Sequence, residues 1–145
     1  MSKTIWQTIN WPRAVLCGVI SVPVLLLNYI CFNMTFGPYL ANHYPDILFM
    51  ATRRHNYLAY TPYGMTAAFV IGFGVALLFG MTRQKGLKAG VVLGLVLLLQ
   101  PLAEILTNYT TQAFSWSGLL FPTAILGSQL FITAILAGLF YTPKE

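Results

Sequence analysis

GLKAGVVLGLVLLLQPLAEILTN, residues 86–108, decides the fold, because it is one apolar run that opens on glycines and closes on polar groups. Read as a helix, each residue turns by about 100°. On that rule Gly86, Gly90, Gly94, Leu97 and Pro101 share an arc of about 80°. Gln100, Glu104 and Asn108 fall on the same side, each within about 40° of Gly86. One face is therefore glycine below and amide or carboxylate above, while the opposite face is Leu, Val and Ile. A glycine face lets a second helix approach closely, and polar groups on it would be shielded from hydrocarbon. Pro101 lacks a backbone donor and is expected to bend the helix just below Glu104.

The whole chain has the same character. Of its 145 residues 57% are hydrophobic and 8% charged, with a mean hydropathy of +0.71. A soluble domain carries about 25% charged residues. So few charges cannot cover a globular surface, and lipid must be the solvent for much of it. The expected architecture is an all-α integral membrane protein, a single domain of four transmembrane helices at about 13–33, 58–81, 87–108 and 118–141. A partly structured outer loop is expected over 34–57, where an apolar ILFMA stretch follows Pro45-Asp46 and suits a short interfacial helix.

Ala68, Gly72, Ala76 and Gly80 repeat the small-residue spacing of Gly86, Gly90 and Gly94. Two such ladders joined by the tight basic loop TRQKG predict an antiparallel hairpin packed through its small faces. The first run, about 20 residues long, lacks a small-x-small exit site and reads as a retained span. Asn10 is placed to cap it, Pro12 to occupy its first turn and Pro23 to kink it. Cys17 and Cys31, roughly 21 Å apart along one helix, are out of disulfide reach.

Net charge is +5. The cations flank apolar runs instead of forming a basic groove, which argues against nucleic acid as a partner. Lys3, Arg13, Arg83, Lys85, Lys88 and Lys144 fall on one side of the expected topology and Arg53 and Arg54 on the other. That asymmetry predicts both termini in the cytoplasm; together with the resemblance described below it points to a bacterial inner membrane.

Glu104 is the one acid inside an apolar run, and two readings of it stand open. In one it pairs with Arg53 or Arg54 and pins the outer loop to the bundle. In the other it is a proton-linked or cation-contacting carboxylate, with Gln100, Asn108, Asn28 and Asn33 lining a shallow outward-facing cavity. One carboxylate does not supply a paired acid and base. His43, Asp46 and His55 have no trusted metal-ligand spacing and read as interfacial residues, so neither a metal nor a cofactor is expected. The triplets Asn33-Met34-Thr35 and Asn108-Tyr109-Thr110 lie at expected outer helix ends, where Asn33 and Asn108 are better read as caps than as glycosylation sites. No Ser/His/Asp set, Cys/His pair or phosphate loop lies within the spans, which gives an enzyme the least support.

The segment LGLVLLLQPLAEILTNYTTQAFSWSGLLFPTAILGSQLFITAILAGLFY, with its apolar helix ending in Asn-Tyr, its short Trp-bearing link and its glycine-bearing last helix, resembles the closing two helices of small bacterial membrane proteins grouped as domains of unknown function. The resemblance covers the last third of the chain. It implies four spans and carries no functional residue across. The expectations that follow are the lipid bilayer as solvent, and either a membrane-protein partner or homo-oligomer built on helix packing, or a minimal carrier or channel built on Glu104.

Overall fold

The computed structural model describes residues 5–43, 62–111 and 116–144, and in them the side chains outside 104–105, 108–122 and a few helix ends. The described residues are all helical, without strands: α1 Ile5–Thr8, α2 Trp11–His43, α3 Pro62–Thr82, α4 Leu87–Leu97, α5 Leu99–Thr111 and α6 Trp116–Phe140. Among the described residues three stretches are long and apolar enough to cross a membrane, Trp11–Tyr39, Gly64–Thr82 and Thr123–Phe140, and Leu87–Ala103 forms a shorter apolar helix.

The legs run up, down, up and down. Asn10 at the start of α2 meets Thr142 just beyond α6, and Asn28 further along α2 meets Ser128, so α2 and α6 are antiparallel. Gly90 abuts Ala134 and Gly138, Gly94 abuts Phe131, and Pro101 lies by Gly127, so the α4–α5 leg is antiparallel to α6 as well. α6 is the hub. It packs on α2, α3, α4 and α5, whereas the most extensive pairing is α2 with α3. Ala14, Cys17, Val75, Ala76, Phe79, Ala134, Ala137 and Tyr141 form the buried core at one end of the bundle.

Two elements differ from the sequence expectation. The first helix does not stop near Asn33 but continues through Gly37 and Pro38 to His43, so residues 34–43 of the expected outer loop are helical. Proline removes one donor, leaving only the Met34 carbonyl without its intrahelical partner. Asn33 is not a cap: its amide donates to the Tyr29 carbonyl at 3.0 Å, and Thr35 Oγ1 donates to Cys31 at 2.8 Å, both within the helix. At 33 residues α2 is about 50 Å long, well beyond a hydrocarbon core of about 30 Å. The rest of the expected loop, 44–57 with its ILFMA stretch, lies outside the described residues.

The third run divides at Leu98, three residues before Pro101. Pro101 has no N–H to give the Leu97 carbonyl, so the ladder is interrupted where the sequence places the bend. Leu98 still donates to Gly94 at 3.1 Å, and Leu102 to Leu98 at 3.3 Å, which carries the chain across the break.

Candidate functional site

The small-residue faces are brought into contact, but with different partners from those the hairpin expectation gave. α3 and α4 are consecutive, joined by a short turn with Arg83 at φ 53 and Gly86 at φ 89, and they make no extensive contact. The α3 ladder faces α2 and the chain termini. A Cβ on Gly72 would strike Ser21 and come within 3.0 Å of the Cys17 carbonyl, Ala76 is fully buried, and one on Gly80 would strike the Tyr141 hydroxyl. Ala68 lines a cavity of about 210 Å³ with Val22, Leu25, Tyr29 and Ile71.

The α4 ladder faces α6. A Cβ on Gly90 would lie 2.7 Å from the Ala134 carbonyl oxygen, and on Gly94 2.6 Å from the Phe131 ring. Gly86 plays a different part: its φ of 89° is a left-handed conformation that β-carbon-bearing residues rarely take, and nothing lies within 4 Å of the position a Cβ would fill. The physical reason for the changed pairing is that a four-residue spacing fixes which face is small, not which neighbour fills it. Gly138 on α6 is equally small, and a Cβ there would sit 2.8 Å from the Gly86 carbonyl and 3.0 Å from the Gly90 Cα, so α4 closes on α6 instead of α3.

The polar set read from the third run is not gathered into one described cluster. Asn28 donates from its amide to Ser128 Oγ at 3.0 Å, and Ser128 donates on to the Ile125 carbonyl at 2.8 Å, tying α2 to α6. Gln100 is exposed, not shielded on the glycine face: Pro101, the next residue, keeps the Gly90 and Gly94 side turned to α6 at Gly127, and Gln100 lies about 100° of helical turn away from Pro101. The side chains of Glu104 and Asn108, and Arg53, Arg54, Asp46 and His55, lie outside the described residues. His43 ends α2, stacked on Tyr39 with ring centroids 4.3 Å apart and with Nδ1 3.0 Å from the Tyr39 carbonyl. Among the described residues no group of three His, Cys, Asp or Glu side chains is placed to hold a metal. Cys17 is buried and Cys31 exposed, both as free thiols.

A site that sequence reasoning missed joins the two chain ends. The Asn10 N–H donates to the Tyr141 hydroxyl at 3.0 Å and the Asn10 amide to the Thr142 carbonyl at 3.0 Å. The Lys144 N–H donates to the Thr8 carbonyl at 3.1 Å, and the Thr8 hydroxyl donates to the Gly80 carbonyl at 3.4 Å. Tyr141 and Ile9 are each only 1% exposed, and Phe79 meets the Tyr141 ring edge-on at 6.4 Å. The Asn10 side chain lies 3.5 Å from the Arg13 N–H, a long cap contact, and its closer bond goes across to Thr142. Asn10 and its partners beyond α6 stand at opposite ends of the chain, and no local pattern announces them.

Cations gather at the same end. Arg13 opens α2, Arg83 and Lys85 occupy the α3–α4 turn, Lys88 lies in the first turn of α4, and Lys144 follows α6, all exposed. Beside that turn the unfilled gap between α3 and α4 is a cleft of about 470 Å³. These features describe an all-helical protein with three described helices long and apolar enough to cross a membrane and a shorter apolar fourth. No family model, no curated protein and no solved structure matches the chain. The resemblance of its last third therefore adds no family assignment.

Proposed function

We propose that the chain is an integral membrane protein of four spans with both termini in the cytoplasm, and that it serves as a helix-packing accessory or assembly partner of another membrane protein or of its own copies. The observation that carries this reading is a stripe on the leg formed by α4 and α5. Val92, Leu95, Leu99, Leu102 and Leu106 recur at alternating spacings of three and four residues, and all five are exposed. That is the spacing of a helix-packing seam, and it runs on the leg whose extensive contacts outside α4–α5, among the described residues, are with α6. The small residues of Gly72, Gly90 and Gly94 are meanwhile used inside the chain, so the outward face is built of large apolar side chains. Only 28%, 28% and 39% of the three long apolar windows is buried within the bundle, which leaves wide surfaces for lipid and for a neighbour.

The grouping of Arg13, Arg83, Lys85, Lys88 and Lys144 at the end that holds both termini supports a cytoplasmic placement of that end, by the rule that positive residues stay inside. A bacterial inner membrane is part of the same proposal. The carrier reading needs its amides along one path with Glu104, and Asn28 is already bonded to Ser128.

The test is purification in mild detergent followed by native mass measurement, for the wild type and for Leu95→Ala/Leu102→Ala. A stoichiometric partner or a homo-oligomer that the double variant loses is the expected result. A wild-type monomer in lipid nanodiscs, together with pH-dependent solute uptake in proteoliposomes that Glu104→Gln abolishes, would overturn it in favour of the carrier.

A further inference from the structure

The cleft between α3 and α4 has a polar mouth and an apolar floor. Thr82 and Gln84 stand at the mouth with Lys85 and Lys88, while Phe79 from α3 and Val96 from α4 line it further along the two legs. Lys88 and Val96 are two turns apart on one leg, about 12 Å along the axis. The order of chemistry is that of a phospholipid: a charged head at the cation-bearing end and hydrocarbon below. We infer that this cleft is a binding site for one anionic glycerophospholipid, its phosphate held by Lys85 and Lys88 and an acyl chain lying along Phe79, Leu93 and Val96.

Three observations support the assignment. The sequence from 82 to 103 carries no acid, so nothing there offsets the two ammonium groups. Both lysines are exposed. The gap also has a structural cause, because α4 leans through Gly90 and Gly94 onto α6 and leaves its Ala89–Val96 flank without extensive contact to α3. The apolar depth of this open cleft of about 470 Å³ suits hydrocarbon better than water. Basic openings between helices on the cytoplasmic side are known to receive anionic headgroups. The site rests on membrane insertion of the bundle and not on a protein partner, so a monomeric result above leaves it intact.

The experiment uses the full chain, delipidated in detergent and titrated with phosphatidylglycerol or phosphatidylcholine, with bound lipid counted by native mass spectrometry. The expected result is one phosphatidylglycerol bound at least tenfold more tightly than phosphatidylcholine. Lys85→Gln/Lys88→Gln should erase that preference, while Arg13→Gln/Lys144→Gln, which removes the same charge outside the cleft, should keep it. Val96→Trp, which fills the floor with both lysines in place, should lower occupancy by both lipids and serves if the lysine variant fails to fold. Equal binding of the two lipids by the wild type, equal losses in the two charge variants, or full occupancy in Val96→Trp would each overturn the assignment.

Discussion

The two ends of the bundle hold themselves together in different ways. At the end carrying the termini, polar groups reach across the fold: Asn10 to Tyr141 and Thr142, Lys144 to Thr8, Thr8 to Gly80. Toward the other end three threonine hydroxyls turn back on their own helix, Thr35 to Cys31, Thr66 to Pro62 and Thr107 to Ala103. Such i−4 bonds satisfy a hydroxyl in apolar surroundings but join nothing to anything else. There Asn28 bridges α2 to Ser128 of α6, beside small-residue contacts. Hydrogen bonding therefore fixes one end of this protein, and close backbone approach fixes its middle.

The largest effect that tests this contrast falls on the middle. Gly90→Ala places a methyl 2.7 Å from the Ala134 carbonyl and close to two further backbone atoms, which side-chain motion does not relieve. A loss on the order of 1–3 kcal/mol is expected, the usual cost of overpacking. Gly74→Ala meets nothing within 4 Å and is the matched control, expected to gain up to about 1 kcal/mol from helix propensity. Thermal unfolding in one detergent measures both. Equal shifts for the two alanines would show that α4 does not close on α6 as described.

At the terminal end the expected effects are smaller and coupled. Tyr141→Phe takes away the acceptor of the Asn10 N–H and should cost about 1–2 kcal/mol. Gly80→Ala strikes the same hydroxyl, so the double variant should lose less than the sum of the singles, because removing the oxygen relieves the clash. A strictly additive pair in a denaturant-melting cycle would separate Gly80 from the knot.

How much of this is legible in sequence depends on whether the determinant is local. Apolar runs of spanning length, the bend ahead of Pro101 and the smallness of the Gly90 and Gly94 face are local properties, and they can be read from residue type and a period of 3.6. The neighbour of that face is not local. Gly72 and Gly90 look alike in sequence, yet one receives Ser21 of α2 and the other Ala134 of α6. The end of α2 departs from its local signals for a related reason: Gly37 and Pro38 weigh against a helix locally, while one lost donor does not halt a helix running to His43. The knot of Thr8, Asn10, Tyr141 and Lys144 has no local signature, since only the completed up-down-up-down course brings those residues together. Of the Glu104 cluster, the sequence locates the residues but not their contacts: among the described members Asn28 bonds Ser128 and Gln100 is exposed.

The smallest effect is the sharpest test of the contrast between the ends. Asn28 and Ser128 form the described side-chain bridge in the half of the bundle away from the termini, and it is half-buried. If hydrogen bonds were strong wherever hydrocarbon surrounds them, Asn28→Ala should cost as much as Tyr141→Phe or more. Measured bonds between membrane helices instead average about 0.6 kcal/mol, because the separated helices also find partners for their polar groups. Here that alternative is already present, since Ser128 Oγ also donates to the Ile125 carbonyl within its own helix. An Asn28→Ala/Ser128→Ala cycle should therefore give a coupling on the order of 0.5 kcal/mol, below the Gly80–Tyr141 coupling. A coupling larger than that one would make Asn28 the anchor of its half of the bundle and reverse the contrast.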